Sequence, residues 1–123
     1  MPIRWTVDQS RQMLLATAEG EITLKELVEY LDAVVAAGTM SYRKLFDGSE
    51  ARSAMTDEEM MVLGVRLRTY HGQGKIGALA IVAAADKTPD LARLFGALAA
   101  ADRRTKIFET LKAARDWIDA QPQ

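Results

Sequence analysis

An alternation of apolar and polar residues opens the chain and predicts a strand hairpin. Residues 3–7 place an apolar side chain at every second position, which is the period of a strand with one solvated face. Residues 12–18 are apolar on both faces and predict a second, more central strand, which Gly20 is expected to end. Because only a short turn separates the two segments, they are expected to pair antiparallel.

Four stretches with apolar residues at helical spacing predict four helices. The expected capping residues of the first three are Thr23, Thr56 and Thr88, and the fourth helix is expected to begin at about Thr110. In the first two, a glutamate three residues after the threonine completes a capping box, in which both side chains accept hydrogen bonds from otherwise free backbone N–H groups. The side chains expected to face the core are Leu24, Leu27, Val28, Leu31, Val34 and Val35 in the first helix, Met60, Leu63, Gly64, Leu67 and Tyr70 in the second, Leu91, Leu94, Phe95 and Leu98 in the third, and Leu111, Ala114, Trp117 and Ile118 in the fourth.

Short apolar segments between these helices predict three further strands, at residues 44–46, 79–84 and 106–108. The resulting order, β-β-α-β-α-β-α-β-α, is typical of an α/β domain with a mostly parallel sheet and helices packed against it. We therefore expect one domain over residues 1–123, with a five-stranded sheet whose first strand is antiparallel and with four helices.

A loop is predicted after the strand at residues 44–46, from Ser49 to Met55. It is longer than the ~2–6 residues of most such connections. Ligands and partners of open α/β sheets bind at the carboxyl ends of the strands, so this loop is the expected location of a functional site. Asp47, just before it, is interpreted as an acceptor for N–H groups of the loop, with a role as a general base as the alternative.

Composition narrows the classes of function. The 16 basic and 17 acidic residues give a formal net charge of −1, which argues against non-specific nucleic-acid binding. The absence of cysteine excludes disulfides and thiol chemistry, and a single histidine, His71, cannot form a histidine cluster, so no metal or other cofactor is predicted. The sequence has no signal peptide and no apolar run near the ~20 residues that span a bilayer, so we expect a cytoplasmic protein without a transmembrane segment.

Five segments together resemble the STAS superfamily, and within it the SpoIIAA-like branch of small bacterial proteins, often grouped as STAS/SEC14-like. They read IRWTVD…LLATAEG, EITLKELVEYL, RKLFDGS, ALAIVAA and KIFETLKAARDWI, and they cover nearly the whole chain. The resemblance implies a compact α/β domain that acts as a regulatory protein-binding module. The best-known members of the family are anti-sigma-factor antagonists.

Two residues can be compared with the phosphorylated site of those antagonists. Asp47 matches the aspartate that ends the corresponding strand, and Thr56 falls where the phosphorylated serine would be. The Asp-Ser-Ser-Gly sequence of the antagonists is absent, and three carboxylates at residues 57–59 would repel a phosphate on Thr56. Thr56 is therefore interpreted as a helix cap.

Apolar residues off the core-facing stripe of the second helix give the best indication of a binding surface. Met61, Val62 and Val65 lie outside that stripe, and Met55 comes just before the helix. Methionine suits interfaces that must adapt to a partner. The predicted surface for a ligand or partner comprises Asp47, Ser49, Met55, Thr56, Met61 and Val65.

Three functions from different classes remain open from the sequence. The leading hypothesis is a non-enzymatic STAS-like regulatory or protein-interaction module, which binds a regulatory protein or associates with itself as a homo-oligomer through the second helix. The alternative is a small carrier of a lipid or other apolar ligand, for which a clear internal cavity would be required. An enzyme is the third possibility, but no constellation of catalytic residues accompanies Asp47.

Overall fold

Five strands form one mixed sheet in the computed structural model, which describes residues 3–53, 55–83 and 105–122. The strands are β1 (Ile3–Asp8), β2 (Met13–Ile22), β3 (Arg43–Ser53), β4 (Leu79–Val82) and β5 (Thr105–Phe108), in that spatial order. β1 is antiparallel to β2, and all other neighbours are parallel. The predicted α/β class and the antiparallel first strand are confirmed.

The described residues contain three of the helices expected from the sequence, α1 (Leu24–Ala36), α2 (Asp57–His71) and α3 (Leu111–Asp119). The helix expected to begin at Thr88 lies outside the described residues, as does the end of the strand predicted at residues 79–84. None of the helices in the described ranges is long and apolar enough to cross a membrane.

Helices cover the two faces of the sheet unequally. One apolar cluster joins α1 and α2 to the sheet through side chains that include Leu27, Leu63 and Ile81. A second, smaller cluster joins Ile118 of α3 to Leu45 of β3 on the opposite face. Fully burying one leucine or isoleucine side chain stabilises the fold by about 1.5–3 kcal/mol, so the larger cluster contributes most.

α3 has nine residues and packs against β3, β4 and β5. Leu15 on β2, next to these strands, is 37% exposed. Leu111, which we expected to point inward, is 40% exposed at the first position of α3. Ala114 and Ile118 of the same helix are buried as predicted.

The loop predicted from Ser49 to Met55 is wrong, because β3 continues to Ser53. β2 likewise does not end at Gly20: after a register shift between Thr17 and Glu19, this glycine pairs with Ala51 and adopts φ 73° within the strand. The extension joins Glu19–Ile22 of β2 to Glu50–Ser53 of β3. Among the described residues, β3 pairs with β4 only as far as Asp47, and the extension pairs with β2 alone. Polar side chains are tolerated there, which explains why the sequence resembled a loop.

Arg43, at the start of β3, is buried and links three parts of the fold. Its Nη1 donates to the carbonyl oxygens of Ile118, Asp119 and Gln121 at 3.2–3.4 Å, around the end of α3. Its Nη2 donates to the carbonyl oxygen of Arg11 at 2.7 Å, in the turn before β2. A cation at a helix C-terminus also meets the negative end of the helix dipole. Arg43 thereby fixes α3 against the sheet.

A close backbone approach holds the segment before β4 against the segment before β3. Gly77 N donates to the carbonyl oxygen of Met40 at 3.1 Å. A Cβ atom on Gly77 would lie 2.1 Å from the carbonyl oxygen of Tyr42. Lys44 reinforces the same segment, since its Nζ donates to the carbonyl oxygens of Met40 and Tyr42 at 2.6 and 2.8 Å. Only glycine fits at position 77 without moving this backbone.

The predicted capping boxes are confirmed at the start of α1 and α2. In α2 the Thr56 hydroxyl accepts a hydrogen bond from Glu59 N at 3.2 Å, and Glu59 Oε1 accepts one from Thr56 N at 3.0 Å. Both bonds satisfy N–H groups that the first turn of a helix leaves without a partner. Thr56 therefore fixes the residue at which α2 begins.

We predict that Gly77→Ala destabilises the protein by about 1–3 kcal/mol or more, because the new methyl group would force two backbone segments apart. The free energy of unfolding in urea measures the effect. Gly72→Ala is the matched control, since Gly72 has φ −67° and an added Cβ would come no closer than 3.5 Å to a neighbour. Equal stability of the two variants would contradict the close approach.

Thr56→Ala should cost about 0.5–2 kcal/mol of stability, because the N–H group of Glu59 loses its acceptor. Thr56→Ser keeps the hydroxyl and should retain most of the wild-type stability. Thermal unfolding of the three proteins measures the difference. If Thr56→Ala is as stable as the wild type, then the capping bonds contribute nothing and another role for Thr56 must be sought.

Candidate interaction surface

The structure separates the predicted site residues onto two sides of the sheet. Asp47 lies two residues after Leu45, so its side chain shares the sheet face that α3 covers. There it lines an open groove of about 320 Å³ together with Leu111 and Arg115. α2 packs on the opposite face. The fold therefore does not bring Asp47 together with Met61 or Val65.

Asp47 has the structural partner that the sequence suggested. Its Oδ1 accepts hydrogen bonds from the backbone N–H of Ser49 at 3.1 Å and from the Ser49 hydroxyl at 2.7 Å. These bonds shape the backbone at the point where β3 leaves β4 and continues beside β2 alone. Both residues lie within a strand and not, as expected, at a strand end followed by a loop.

Met55 and Thr56 differ in exposure although they are adjacent. Met55 is 8% exposed and belongs to the large apolar cluster, so it is not part of an exposed patch with Met61 and Val65. Met55 instead lies beside Ile22 of β2, which belongs to the same cluster. Thr56 is exposed, with its side chain occupied by the capping box.

The outward face of α2 carries three apolar side chains. Met61 is 72% exposed, Val62 53% and Val65 55%, whereas Leu63 and Leu67 on the same helix are buried. Residues three or four positions apart adjoin on a helix surface, so Val65 adjoins both Met61 and Val62. The three exposed side chains are named here the α2 stripe. A separate face of α2 already packs on the sheet, so core packing does not account for the stripe.

A shallow groove of about 560 Å³ runs beside the α2 stripe. The residues that line it are Met61, Val62, Val65, Arg66, Thr69, Tyr70 and Gln73. Its floor is therefore mostly apolar near the start of α2 and polar towards the end. The groove provides a concave surface on which another side chain or helix could lie.

Two of the residues that line this groove, Arg66 and Tyr70, belong to a cluster of three polar side chains that links α2 to α1. The Tyr70 hydroxyl donates to Asp32 Oδ1. Arg66 donates from Nε to the Tyr70 oxygen at 3.1 Å and from Nη2 to Asp32 Oδ2 at 3.1 Å. Sequence reasoning missed this cluster. The spacing of Arg66 and Tyr70 puts them on one helix face, but nothing in the sequence indicates that Asp32, on another helix, completes it.

These contacts shift two pKa values in opposite directions. The hydrogen bonds from Tyr70 and then from Arg66 stabilise the carboxylate and lower the pKa of Asp32 below its usual range. Burial, followed by the hydrogen bond to Asp32, raises the pKa of the Tyr70 phenol. The cluster therefore holds an ionised carboxylate beside a neutral phenol at neutral pH.

A small internal cavity lies between α1, α2 and the sheet, and Tyr70 forms part of its wall as well. Its volume is about 40 Å³. The side chains around it are Leu27, Tyr30, Leu31, Val34, Val35, Met40, Lys44, Phe46, Leu67, Tyr70, Ile76 and Leu79. Drug-sized ligands occupy pockets of about 300–1,000 Å³, so this cavity does not hold one with α1 and α2 in their present positions.

We predict that Asp32→Asn weakens the pH dependence of stability at the acidic end. The pKa of Asp32 is lowered by folding, so its carboxylate stabilises the fold above the unfolded pKa, and this contribution is lost as the pH falls below about 4. Urea unfolding between about pH 2.5 and 7 should therefore give a shallower decline for Asp32→Asn than for the wild type. Asp116→Asn removes an exposed carboxylate that pairs with Lys112 and serves as the control. Parallel curves for all three proteins would contradict the prediction.

Comparison with known proteins places this geometry in a fold. No known family model matches the sequence, and no curated protein is similar to it. An anti-sigma factor antagonist from Mycobacterium paratuberculosis has a similar structure, with a TM-score of 0.59 and 19% sequence identity over 94% of this chain and 93% of that one. An uncharacterized protein with a SpoIIAA-like fold from Shewanella loihica is similar with a TM-score of 0.60, at the same identity and the same coverage of both chains.

These likenesses extend over almost the full length of each chain, and they agree with the strand order and the antiparallel first strand described above. They confirm the fold that the resemblance in sequence led us to expect. The protein has a STAS/SpoIIAA-like fold.

Proposed function

We propose that the protein is a non-enzymatic STAS-like regulatory or protein-interaction module that binds a protein partner through the α2 stripe. The observation that carries this proposal is the exposure of Met61, Val62 and Val65 on a helix that already buries another face. Single apolar residues on a surface mean little, but three that adjoin beside a groove are typical of an interaction site. We also propose that residues 1–123 form one domain, because β1 and β5, from opposite ends of the chain, belong to one sheet.

The similar structures support a protein partner rather than another kind of ligand. One of them is named as an anti-sigma factor antagonist, which is a protein defined by its action on another protein. The side chains of the α2 stripe suit such a contact, since methionine adapts to the shape of a partner and its burial is favourable. Thr56 and Asp47 enter this proposal only as structural residues, because both are occupied by bonds within the chain.

The alternative function, a carrier of a lipid or other apolar ligand, has less support. The cavity of about 40 Å³ behind Tyr70 is apolar but many times smaller than the pocket that such a ligand requires. A carrier would have to separate α1 from α2 and break the bonds that join Asp32 to Tyr70 and Arg66. A well-packed core with an apolar outer stripe agrees better with a binding module.

We predict that Met61→Glu abolishes binding of the protein partner while the protein stays folded. The substitution would place an unpaired charge in the apolar contact, and Met61 has little contact with the core. The measurement is affinity capture from the native cell with purified wild-type and variant protein as bait, followed by mass spectrometry of bound proteins and of extracted lipids. Thermal unfolding verifies that the variant is folded.

Leu111→Glu is the matched control, because it adds the same charge at an exposed apolar residue on the opposite side of the sheet. This variant should retain the proteins that the wild type captures. If Met61→Glu captures the same proteins as the wild type, the α2 stripe is not the binding surface. Enrichment of one lipid class with no protein would instead favour the carrier.

A further inference from the structure

We infer that the α2 stripe binds a second copy of this chain, with the two α2 helices packed antiparallel about a two-fold axis. The inference rests on the proposed function, since it uses the same stripe and names the occupant. Its basis is the arrangement of charge along α2. The first turn of the helix is acidic at Asp57, Glu58 and Glu59, and basic side chains at Arg66 and Arg68 follow in its second half.

Two of these charges flank the α2 stripe and are available for a partner. Glu58 and Arg68 are both exposed. At 100° per residue, both lie within about 60° of Val65 on the helix surface, the same side as Met61. Within the described ranges the side chain of neither makes a hydrogen bond or an ion pair, unlike that of Arg66, which is held by Asp32 and Tyr70.

The spacing of these residues is self-complementary. Met61 and Val65 lie two residues before and after Leu63, and Glu58 and Arg68 lie five residues before and after it. In an antiparallel pair with its two-fold axis at the level of Leu63, Met61 of one copy lies level with Val65 of the other, and Glu58 lies level with Arg68 of the other. Each contact occurs twice, as a two-fold interface requires.

Two forces act in such a pair, and the electrostatic one favours the antiparallel orientation. The stripe buries apolar surface on each copy, which drives association without fixing direction. The charges and the helix dipoles fix direction, because an antiparallel pair sets the acidic start of each helix beside the basic end of the other. A parallel pair would instead place the acidic ends together. A foreign partner would need no such internal symmetry in α2.

A contact made by one helix from each copy buries little surface. Its total buried area is expected to be below about 1,200 Å², the value that separates weak from stable interfaces. The dimer is therefore expected to be weak and reversible. Sedimentation equilibrium of the wild-type protein from about 1 µM to about 1 mM should show a monomer–dimer equilibrium.

Charge reversal tests the pairing. Glu58→Lys alone would set two cations against each other twice in the dimer, and Arg68→Glu alone would do the same with two anions. Each single variant should dimerise at least about tenfold more weakly than the wild type. An equimolar mixture of the two variants should associate again, because each copy then faces the opposite charge at both contacts. The double variant Glu58→Lys/Arg68→Glu should also dimerise.

Recovery in the mixture is the decisive result, because loss of folding in a single variant cannot produce it. A wild-type protein that stays monomeric over the whole range overturns the inference, as does a mixture that stays as weakly associated as its components. Should Glu58→Lys not fold, Arg68→Glu mixed with wild type still tests the pairing, since one of its two contacts remains complementary and the mixed dimer should be intermediate in strength.

The outcome also separates this inference from the proposed function. A monomeric wild type, together with Met61→Glu that loses a captured protein, would leave the α2 stripe as a binding surface for a different protein. Dimerisation that neither charge reversal nor Met61→Glu changes would place the interface elsewhere and overturn the antiparallel α2 pair.

Discussion

A buried cation at the start of the central strand holds α3 against the sheet. Arg43 donates to four backbone carbonyl oxygens, three around the end of α3 and one in the turn before β2. Burying a guanidinium is costly unless it is paired, and here backbone acceptors and the helix dipole take the place of a carboxylate. Lys44, the next residue, binds carbonyl oxygens of the preceding segment in the same way. Because successive residues of a strand point to opposite faces, the pair secures both sides of β3.

The sequence revealed the parts of this fold that local chemistry specifies. The capping boxes at Thr23 and Thr56 could be predicted because the residues that make them are three apart. The strand hairpin and the α/β class followed from periodicity alone. The position of Met61 and Val65 outside the core-facing side of the helix could also be predicted, since a helix has a fixed angular period.

Contacts between distant residues could not be predicted from the same information. In the sequence, Arg43 and Lys44 are ordinary polar residues at the start of a predicted strand. Only the folded chain shows that carbonyl oxygens of α3 and of residues 40–42 accept hydrogen bonds from them. The extension of β3 was missed because its polar side chains are acceptable wherever a strand has a neighbour on one side only. For the candidate site, this error placed Met55 in a loop, although the structure buries it.

Tyr70 gives the interior and the surface of this protein a common boundary. Its side chain lines the small cavity behind α2 and also the groove beside the α2 stripe, and it is tied to α1 through Asp32. If a molecule bound in the groove displaces this ring, it therefore also changes the volume of the cavity and strains the hydrogen bond to Asp32. Binding on the outside of α2 is thus coupled to the packing of the core, because one aromatic ring lines both spaces.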